Sequence, residues 1–378
     1  MTVSERHIIG FDAKRILCNG TGLGSYGRTL VNSIAAINHA DRLLLYAPNA
    51  GRDELRRQVE AHENVRFCYP DHSRFRFQRD LWRSRGVVKD LVRDGVELYH
   101  GLSGELPSGL HEAGVPGLVT IHDLIFMRHP EYYHWVDVQI YKHKFFQTLK
   151  EADRIVAISE CTKRDILVWS DFPEDRIDVV YQSCGTRFKL RMSEEQLQEV
   201  RCRYHLPEQY ILNVGTIEER KNVLLAVKAL QELPSLHLVI VGRATRYARK
   251  VMEYARGKHL DHRVMMLGGV PNEDLYAIYQ QASCFVYPSR YEGFGIPIIE
   301  AIQSGLPVVA ASGSCLEEAG GPDCLYVGPD DVSSMASSIR RAMAEREMRV
   351  PRTQAYVRRF ENSDIAGSML CEYEKLYR

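Results

Sequence analysis

The sequence lacks several features that would each place it in a particular class of protein. No apolar run approaches the roughly 20 residues that cross a membrane, and Met1 is not followed by the apolar core of a signal peptide. The 49 basic and 49 acidic residues give a formal net charge of zero, so no overall positive field favours nucleic acid. These absences predict a cytoplasmic protein that binds no nucleic acid.

Two further absences concern disulfides and metals. The nine cysteines are scattered, odd in number and without a C-x-x-C spacing, which favours free thiols over disulfides or a zinc site. The chain also contains no Asp-x-Asp triplet, so it offers no obvious carboxylate clamp for Mg²⁺ or Mn²⁺ on a diphosphate. We therefore expect neither a metal nor a cofactor.

The length and pattern of the chain predict two α/β domains. Its 378 residues, 45% of them hydrophobic, suffice for two cores. Short apolar runs alternate with helical patterns, which is typical of parallel sheets. We place a first Rossmann-like domain at 1–186 and a second at 187–357, with a hinge around 182–190. A final helix is expected within 358–378.

The most informative stretch lies in the second domain. An apolar run from Cys284 to Tyr287 predicts a buried strand, and Gly293 and Gly295 follow in a loop that leads into a helix. Such a helix start favours an anion. Glu292 on the loop and Glu300 about one turn into the helix can accept hydrogen bonds from sugar hydroxyls. A nucleotide sugar would satisfy both features, and a solvent-facing glutamate pair is the alternative.

A pair of cations follows the first strand of that domain. Arg220 and Lys221 come after the predicted strand Tyr210 to Val214 and just before the helix Val223 to Leu230. Two cations at a helix N-terminus suit a diphosphate. Surface Arg-Lys pairs are common, so this pattern alone leaves an ordinary solvated pair open.

A glycine cluster lies near the start of the first domain. Gly22, Gly24 and Gly27 match the spacing of a dinucleotide-binding fingerprint, before a helix expected from about Arg28. Residues 12–19 separate these glycines from the first strand, and no acidic residue ends the next strand, which weakens the match. The cluster is either a phosphate-binding loop or a simple strand-to-helix turn.

Polar residues end several strands of the first domain. His122 and Asp123 directly follow the predicted strand Gly117 to Ile121, at the edge where α/β proteins bind ligands. His100 ends another strand and is a weaker candidate. Ser159 is predicted to cap a helix near the same edge. A histidine satisfied within its loop and a serine that only caps are the alternatives.

Two aromatic segments could meet a partner. Residues 74–94 predict an amphipathic helix whose basic stripe, flanked by Phe75 and Trp82, could lie on an anionic membrane or meet a phosphate-bearing acceptor. A solvated charged face over a packed apolar one is the alternative. Residues 129–146 are rich in aromatic rings, which stack on sugars and also fill cores. The apolar face of the first segment is Phe77, Leu81, Val88 and Val92, and its arginines are Arg76, Arg79 and Arg83.

The motifs together resemble those of the family 4 glycosyltransferases. Residues 292–301 read E-G-F-G-I-P-I-I-E-A, residues 305–310 read G-L-P-V-V-A, and residues 215–222 read G-T-I-E-E-R-K-N. Members of this family are retaining, metal-independent enzymes of the GT-B fold. The resemblance implies two Rossmann-like parallel-sheet domains that face an interdomain cleft, with the C-terminal helix crossing back to the first, acceptor-binding domain.

The resemblance also implies roles for particular residues. Glu292 and His122 would contact the donor sugar and, with Lys221, form the catalytic group. Lys221 would grip the β-phosphate with Arg220 beside it, and Glu300 would hold the ribose. The remaining donor contacts implied are Gly22, Gly24, Ser159, Gly293, Phe294, Gly295, Ile296 and the backbone of Val270 at the base.

The expected function is therefore transfer of a hexose from a nucleotide diphosphate sugar to a glycan or lipid-linked saccharide. Thr216 stands where many members have arginine, which resembles the mannosyltransferase-like subgroup and favours GDP-mannose, with UDP sugars next. One alternative is an NAD-dependent dehydrogenase that uses Gly22, Gly24 and Gly27. Another is a non-catalytic protein of the same fold that binds nucleotide sugars.

Overall fold

The chain folds into two compact units in the computed structural model, which describes residues 7–70 and 75–377. One unit comprises Met1–Ser183 with Phe360–Arg378, and the other comprises Cys184–Arg359. The N-terminal residues in which we sought a signal peptide, position 74 of the predicted amphipathic helix, and the side chain of Arg76 lie outside the described part.

The first unit is built on a seven-stranded parallel sheet with the order β3-β2-β1-β4-β5-β6-β7. Its strands are rich in Val, Ile and Leu and are mostly buried, as expected for a parallel sheet covered by helices on both faces. The order reverses between β1 and β4, so the carboxyl ends of these strands flank a switch point. The strands are β1 Ile8–Asp12, β2 Arg42–Tyr46, β3 Val65–Cys68, β4 Leu98–Gly101, β5 Gly117–Ile121, β6 Arg154–Ala157 and β7 Ile177–Val179.

Helices connect these strands and cover the sheet. They are α1 Lys14–Cys18, α2 Gly22–Ile37, α3 Asp53–Arg56, α4 Arg76–Leu81, α5 Val87–Arg93, α6 Ile125–Arg128, α7 Trp135–Glu151 and α8 Glu160–Trp169. A π-helical turn, Trp82–Gly86, joins α4 to α5, and 3₁₀ turns occur at Pro130–Tyr132 and Glu174–Arg176.

The second unit carries a six-stranded parallel sheet with the order β10-β9-β8-β11-β12-β13. Its switch point lies between β8 and β11. From β8 the next strands in the chain are added toward one edge of the sheet, and from β11 they are added toward the other edge. Residues that come after β8 and after β11 therefore meet at one edge of the sheet. The strands are β8 Tyr210–Val214, β9 His237–Val241, β10 Val264–Leu267, β11 Cys284–Tyr287, β12 Val308–Ala311 and β13 Leu325–Val327.

The helices of this unit surround its sheet in the same way. They are α9 Glu194–Tyr204, α10 Val223–Ala229, α11 Arg246–Gly257, α12 Asn272–Gln281, α13 Ile296–Gln303, α14 Leu316–Gly320, α15 Val332–Ala344 and α16 Arg346–Val357. Single 3₁₀ turns occur at Thr186–Lys189, Glu219–Lys221, Leu230–Glu232, Asp261–Arg263 and Arg358–Phe360.

The last helix, α17 (Asn362–Glu374), belongs to the first unit. Ile365, Ala366, Met369 and Tyr373 are buried in the core that includes α2. The Tyr373 hydroxyl also lies 2.8 Å from Nδ1 of His100, whose Nε2 lies 2.8 Å from Thr120 Oγ1. Burial lowers the pKa of His100 to about 3, so this histidine, a weak site candidate in sequence, is a neutral structural residue that fastens α17 to the sheet.

The glycine cluster is helical, which corrects the predicted loop. Helix α2 begins at Gly22 rather than near Arg28, and α1 stands between β1 and the glycines. A Cβ on Gly24 would come within 1.8 Å of the Asn19 carbonyl oxygen, so this glycine permits close packing at the helix start. The intervening helix also removes the direct strand-to-glycine turn that a dinucleotide fingerprint requires.

The predicted packing of residues 74–94 is wrong for most of the helix, although Val88 is buried as expected. Phe77, Leu81 and Val92, expected on the packed face, are 67%, 63% and 56% exposed. Arg83, expected on a solvated stripe, is only 13% exposed and pairs with both Asp12 and Glu105. The π-helical turn shifts the helical phase, and Asp12, 71 residues away in sequence, supplies a buried charge that draws the arginine inward.

None of the described helices is both long and apolar enough to cross a membrane.

Candidate active site

The two cations and one carboxylate predicted from the motifs form a single cluster in the second unit. Lys221 Nζ lies 2.7 Å from Glu292 Oε1, and Arg220 Nη1 lies 2.8 Å from Oε2. The cations follow β8 and the carboxylate follows β11, so the switch point of the sheet brings them together. Each carboxylate oxygen therefore has its own cation.

Two hydroxyl groups that the sequence analysis did not single out complete this cluster. Lys221 Nζ donates to Tyr287 Oη at 2.8 Å, and Tyr287 Oη donates to Glu292 Oε1 at 3.1 Å. Ser289 Oγ donates to the same oxygen at 2.7 Å. Both residues lie between the end of β11 and Glu292. The sequence signal that could have identified them is a hydroxyl residue five and three positions before the carboxylate, next to a predicted buried strand.

Charge pairing outweighs burial within the cluster. Burial opposes ionisation of Glu292, but Lys221 and Arg220 lower its pKa to about 2. The pKa of Lys221 is raised, because the attraction of Glu292 exceeds the effect of burial. All three groups are charged at neutral pH. An anionic ligand would thus find two cations already oriented and largely shielded from water, which it would share with Glu292 and, at Arg220, with Glu218, whose Oε1 lies 2.8 Å from Nη2.

Hydrogen bonds to its backbone hold the loop after Glu292 in place. Phe294 is buried, and Cys315 Sγ donates to the carbonyl oxygens of Glu292 at 3.0 Å and Phe294 at 2.9 Å. Gly295 has a φ of 124° and caps α13, which begins at Ile296. Gly293 is also buried. This segment can therefore offer a ligand backbone groups, while the Phe294 side chain belongs to the core.

Glu300 lies on α13, in a different environment from Glu292. Its Oε2 accepts a hydrogen bond from Tyr279 Oη at 2.9 Å, and burial raises its pKa to about 7. The rings of Tyr279, Phe285 and Tyr287 follow one another at centroid distances of 5.6 and 5.8 Å. A row of three buried aromatic rings thus links the two carboxylates, because the tyrosine at one end is hydrogen-bonded to Glu300 and the tyrosine at the other end to Glu292.

The predicted contact to the nucleobase, Val270, has no side-chain geometry that marks it as a binding residue. Val270 lies in the turn between β10 and α12, where it is partly buried. The preceding Gly269 has a φ of 68°, a conformation that suits glycine.

The first unit holds its own group of candidate residues around His122. The Nε2 of His122 lies 2.8 Å from the carbonyl oxygen of Leu102, and its Nδ1 lies 2.9 Å from Gln182 Nε2. The ring also meets Tyr26 edge to face at a centroid distance of 4.8 Å. Burial lowers the pKa of His122 to about 4, so the imidazole is neutral at physiological pH.

Ser159 supports this histidine indirectly. It caps α8 by accepting from the Thr162 backbone N–H at 3.0 Å, and its hydroxyl donates to Thr162 Oγ1 at 3.0 Å. Thr162 Oγ1 in turn donates to the carbonyl oxygen of His122 at 3.3 Å. Asp123 accepts from the Ile125 N–H at 3.1 Å, which fixes the turn after the histidine.

A cavity of about 270 Å³ brings several of these elements together within the first unit. Leu23, between the two candidate glycines at the start of α2, lines it together with His122 and Asp123. Gly22 itself has open space where a side chain would be. Phe126, Tyr133 and Tyr141 add aromatic rings to the lining of the cavity.

Two glycosyltransferase family models match this chain, one in each unit. The model for "Glycosyltransferase Family 4" matches residues 21–183, and the model for "Glycosyl transferases group 1" matches residues 203–356. The protein is therefore a glycosyltransferase of the GT-B fold. The chain belongs to family 4, and its first unit carries the Family 4 match while its second carries the group 1 match.

Similar proteins agree with this assignment. O-antigen chain mannosyltransferase B of Escherichia coli is 29% identical over 94% of this chain and 96% of its own. A glycosyltransferase from Rickettsia africae has a TM-score of 0.77 at 17% identity, with 99% of each chain covered. HepE from Anabaena, solved with UDP and glucose, has a TM-score of 0.74 at 16% identity, covering 98% of this chain and all of that one. The predicted fold and enzyme class are confirmed.

Proposed function

We propose that this enzyme transfers mannose from GDP-mannose, with UDP sugars as the next candidates, to a glycan or lipid-linked saccharide and retains the anomeric configuration. The observation that carries the proposal is the buried cluster of Arg220, Lys221 and Glu292, which presents two fixed cations to an anionic ligand. The similarity to an O-antigen mannosyltransferase supports the sugar.

Arg220 and Lys221 act on the leaving group. As the bond from the sugar C1 to the β-phosphate oxygen breaks, negative charge develops on the diphosphate. The cations and the N–H groups at the start of α13 stabilise that charge, and the site needs no metal. The acceptor hydroxyl forms the new bond to C1 from the same face and passes its proton to the departing phosphate. The oxocarbenium-like character of the sugar favours a carboxylate nearby.

Glu292 changes partners during this cycle. With no ligand it neutralises both cations. When the diphosphate takes over the cations, the carboxylate is released toward the sugar, where it holds a hydroxyl and stabilises positive charge. Glu300 accepts from the ribose, and Val270 with residues 293–296 supplies backbone contacts.

His122 of the first unit packs against the transferred hexose, supported by Ser159 and by Gly22 and Gly24 at the start of α2. The neighbouring cavity of about 270 Å³ receives the acceptor saccharide. Its aromatic lining residues suit the apolar face of a sugar ring, and its polar lining residues offer groups to the hydroxyls. The cavity is close to the lower end of the volume range of small-molecule sites, about 300 Å³, which suits one terminal ring of a glycan.

The exposed apolar side chains of residues 75–92 support peripheral contact with a membrane that carries a lipid-linked acceptor. Phe75, Phe77 and Leu81 are each at least 60% exposed. Apolar side chains on one short helix beside arginines suit the interface of an anionic bilayer. The enzyme would then act at the cytoplasmic face. Phe77→Ser with Leu81→Ser should abolish co-sedimentation with anionic vesicles, and unchanged co-sedimentation would contradict this contact.

The main test is transfer from radiolabelled donors. We expect transfer to an O-antigen-like acceptor from GDP-mannose, and a lower rate from UDP-, dTDP- or ADP-hexoses. Lys221→Met should lower kcat by about 10²- to 10³-fold, the effect of losing one donor that stabilises transition-state charge. Lys228→Met changes a lysine of the same unit outside the cluster and serves as the control.

Two outcomes would contradict the proposal. Transfer that is equally fast with Lys221→Met would remove the role of the cations. Oxidation of a substrate with NAD, or binding of nucleotide sugar without any turnover, would favour the dehydrogenase or the non-catalytic alternative.

A further inference from the structure

His122 is held by hydrogen bonds at both ring nitrogens. The carbonyl oxygen of Leu102 can only accept, so the Nε2 that lies 2.8 Å away must carry a proton. In a neutral imidazole the other nitrogen is then an acceptor. The side-chain amide of Gln182 donates to it at 2.9 Å. The two partners therefore specify one tautomer of the ring.

Gln182 is well placed to impose this arrangement. It is only 8% exposed, so its amide is shielded from competing water. A carboxylate in the place of Gln182 would favour the cationic imidazolium, because it would accept a hydrogen bond from a second ring N–H. An amide with its NH₂ toward the ring cannot do so. The partner of Nδ1 therefore decides whether the histidine is neutral or charged.

We infer that Gln182 is a positioning residue that locks His122 as the neutral Nε2–H tautomer and so keeps it out of proton transfer. The inference rests on the proposed function for its consequence in catalysis. With both nitrogens engaged, His122 offers the hexose a ring surface and no base. The proton of the acceptor hydroxyl must then leave by another route, which the departing phosphate provides.

The charged and titratable groups around the ring are consistent with a neutral imidazole. Glu105 is already paired with Arg83 and Lys144, and Asp123 accepts from the backbone of Ile125. His100, on the neighbouring strand β4, is itself neutral. The titratable and charged groups nearest to His122 in the fold are Tyr26, His100 and Asp123, and Arg15, Glu105 and Lys144 line the same cavity.

The test is nitrogen-15 NMR of the imidazoles in the whole protein. The His122 resonances are assigned by comparison with His122→Asn. The wild type should show protonated Nε2 and unprotonated Nδ1 at pH 7, with no titration above pH 5. A His122 that titrates near 6.5, or that carries its proton on Nδ1, would overturn the inference without any mutation of Gln182.

Two variants extend the test to turnover. Gln182→Glu places a carboxylate opposite Nδ1, so the ring should become doubly protonated at pH 7 and its titration should move upward by at least two pH units. Gln182→Leu should leave the ring neutral, with Nε2 still protonated toward Leu102 and Nδ1 without its donor, and should lower kcat about tenfold, the effect of one ordinary hydrogen bond, with KM for the donor unchanged. Gln198→Glu, which makes the same substitution at an exposed position of α9 in the other unit, is the control.

The outcomes separate this inference from the proposed function. A locked neutral tautomer in a protein that transfers no sugar would overturn the function and support the lock. Active transfer with a His122 that titrates normally in both wild type and Gln182→Glu would overturn the lock alone.

Discussion

Replacing Glu292 by glutamine tests the charge cluster directly, because the change preserves shape and removes one charge. In the wild type this carboxylate is 9% exposed and neutralises two buried cations. Breaking one side of a buried ion pair commonly costs about 3–5 kcal/mol, since it leaves a charge without compensation. Lys221 keeps its hydrogen bond to Tyr287 and Arg220 keeps its ion pair with Glu218, so we expect the lower end of that range.

Urea-induced unfolding at pH 7 measures this loss. The matched control is Glu273→Gln, because Glu273 is 70% exposed and pairs with an exposed Arg187 at 3.6 Å. Exposed pairs contribute at most about 1 kcal/mol. The Glu292 variant should therefore lose about three times as much stability as the control, or more.

Addition of GDP should reverse the defect. A diphosphate supplies the negative charge that the variant lacks. In the variant the diphosphate no longer competes with the Glu292 carboxylate for Lys221 and Arg220. The stabilisation by ligand follows RT ln(1 + [L]/Kd) and reaches about 2.7 kcal/mol at 100 times Kd. At equal GDP concentration the shift should be larger in Glu292→Gln than in the wild type, while turnover is lower. A variant as stable as the wild type, with an equal GDP shift, would refute the reasoning.

Further predictions concern single residues. Glu300→Gln should weaken GDP binding in calorimetry. Wild-type affinity should rise as pH increases through about 7 more steeply than that of the variant, in which only the terminal phosphate of GDP, with a second pKa of about 6, still ionises; unchanged affinity would argue against a ribose contact. The low pKa of His100, about 3, means that the unfolded state binds the extra proton, so stability should fall as pH drops from 6.5 toward 3; His100→Gln should flatten that dependence in urea unfolding. Arg83→Met should destabilise by about 3–5 kcal/mol because it strands Asp12, whereas Arg79→Met should change stability by less than about 0.5 kcal/mol.

The two sheets could be predicted from sequence because their strands are continuous apolar runs. Once β8 and β11 are recognised as neighbours at a switch point, the meeting of Lys221 and Glu292 follows from topology. What sequence could not show is that, without a ligand, these residues pair with each other. Charge alone marks both as ligand-binding groups and does not reveal their mutual contact.

Other parts of the site depend on contacts between distant residues. Glycine has a low helix propensity, so the sequence does not predict a helix that begins at Gly22. Close packing at Gly24, which leaves no room for a Cβ, is visible only in the structure. Arg83 was placed on a solvated face because its partner Asp12 is far away in sequence. Gln182 carries no motif, and only the fold shows that it reaches His122.

The central claim is that fixed protein cations, without a metal, hold the diphosphate of the donor. Calorimetric titration of GDP in the presence of EDTA tests it most directly. We expect GDP to bind the wild type, to bind Lys221→Met about tenfold to hundredfold more weakly, the effect of one hydrogen bond to a charged group, and to bind Lys228→Met with unchanged affinity. Equal affinity in Lys221→Met, or binding that disappears in EDTA and returns with Mn²⁺, would contradict it.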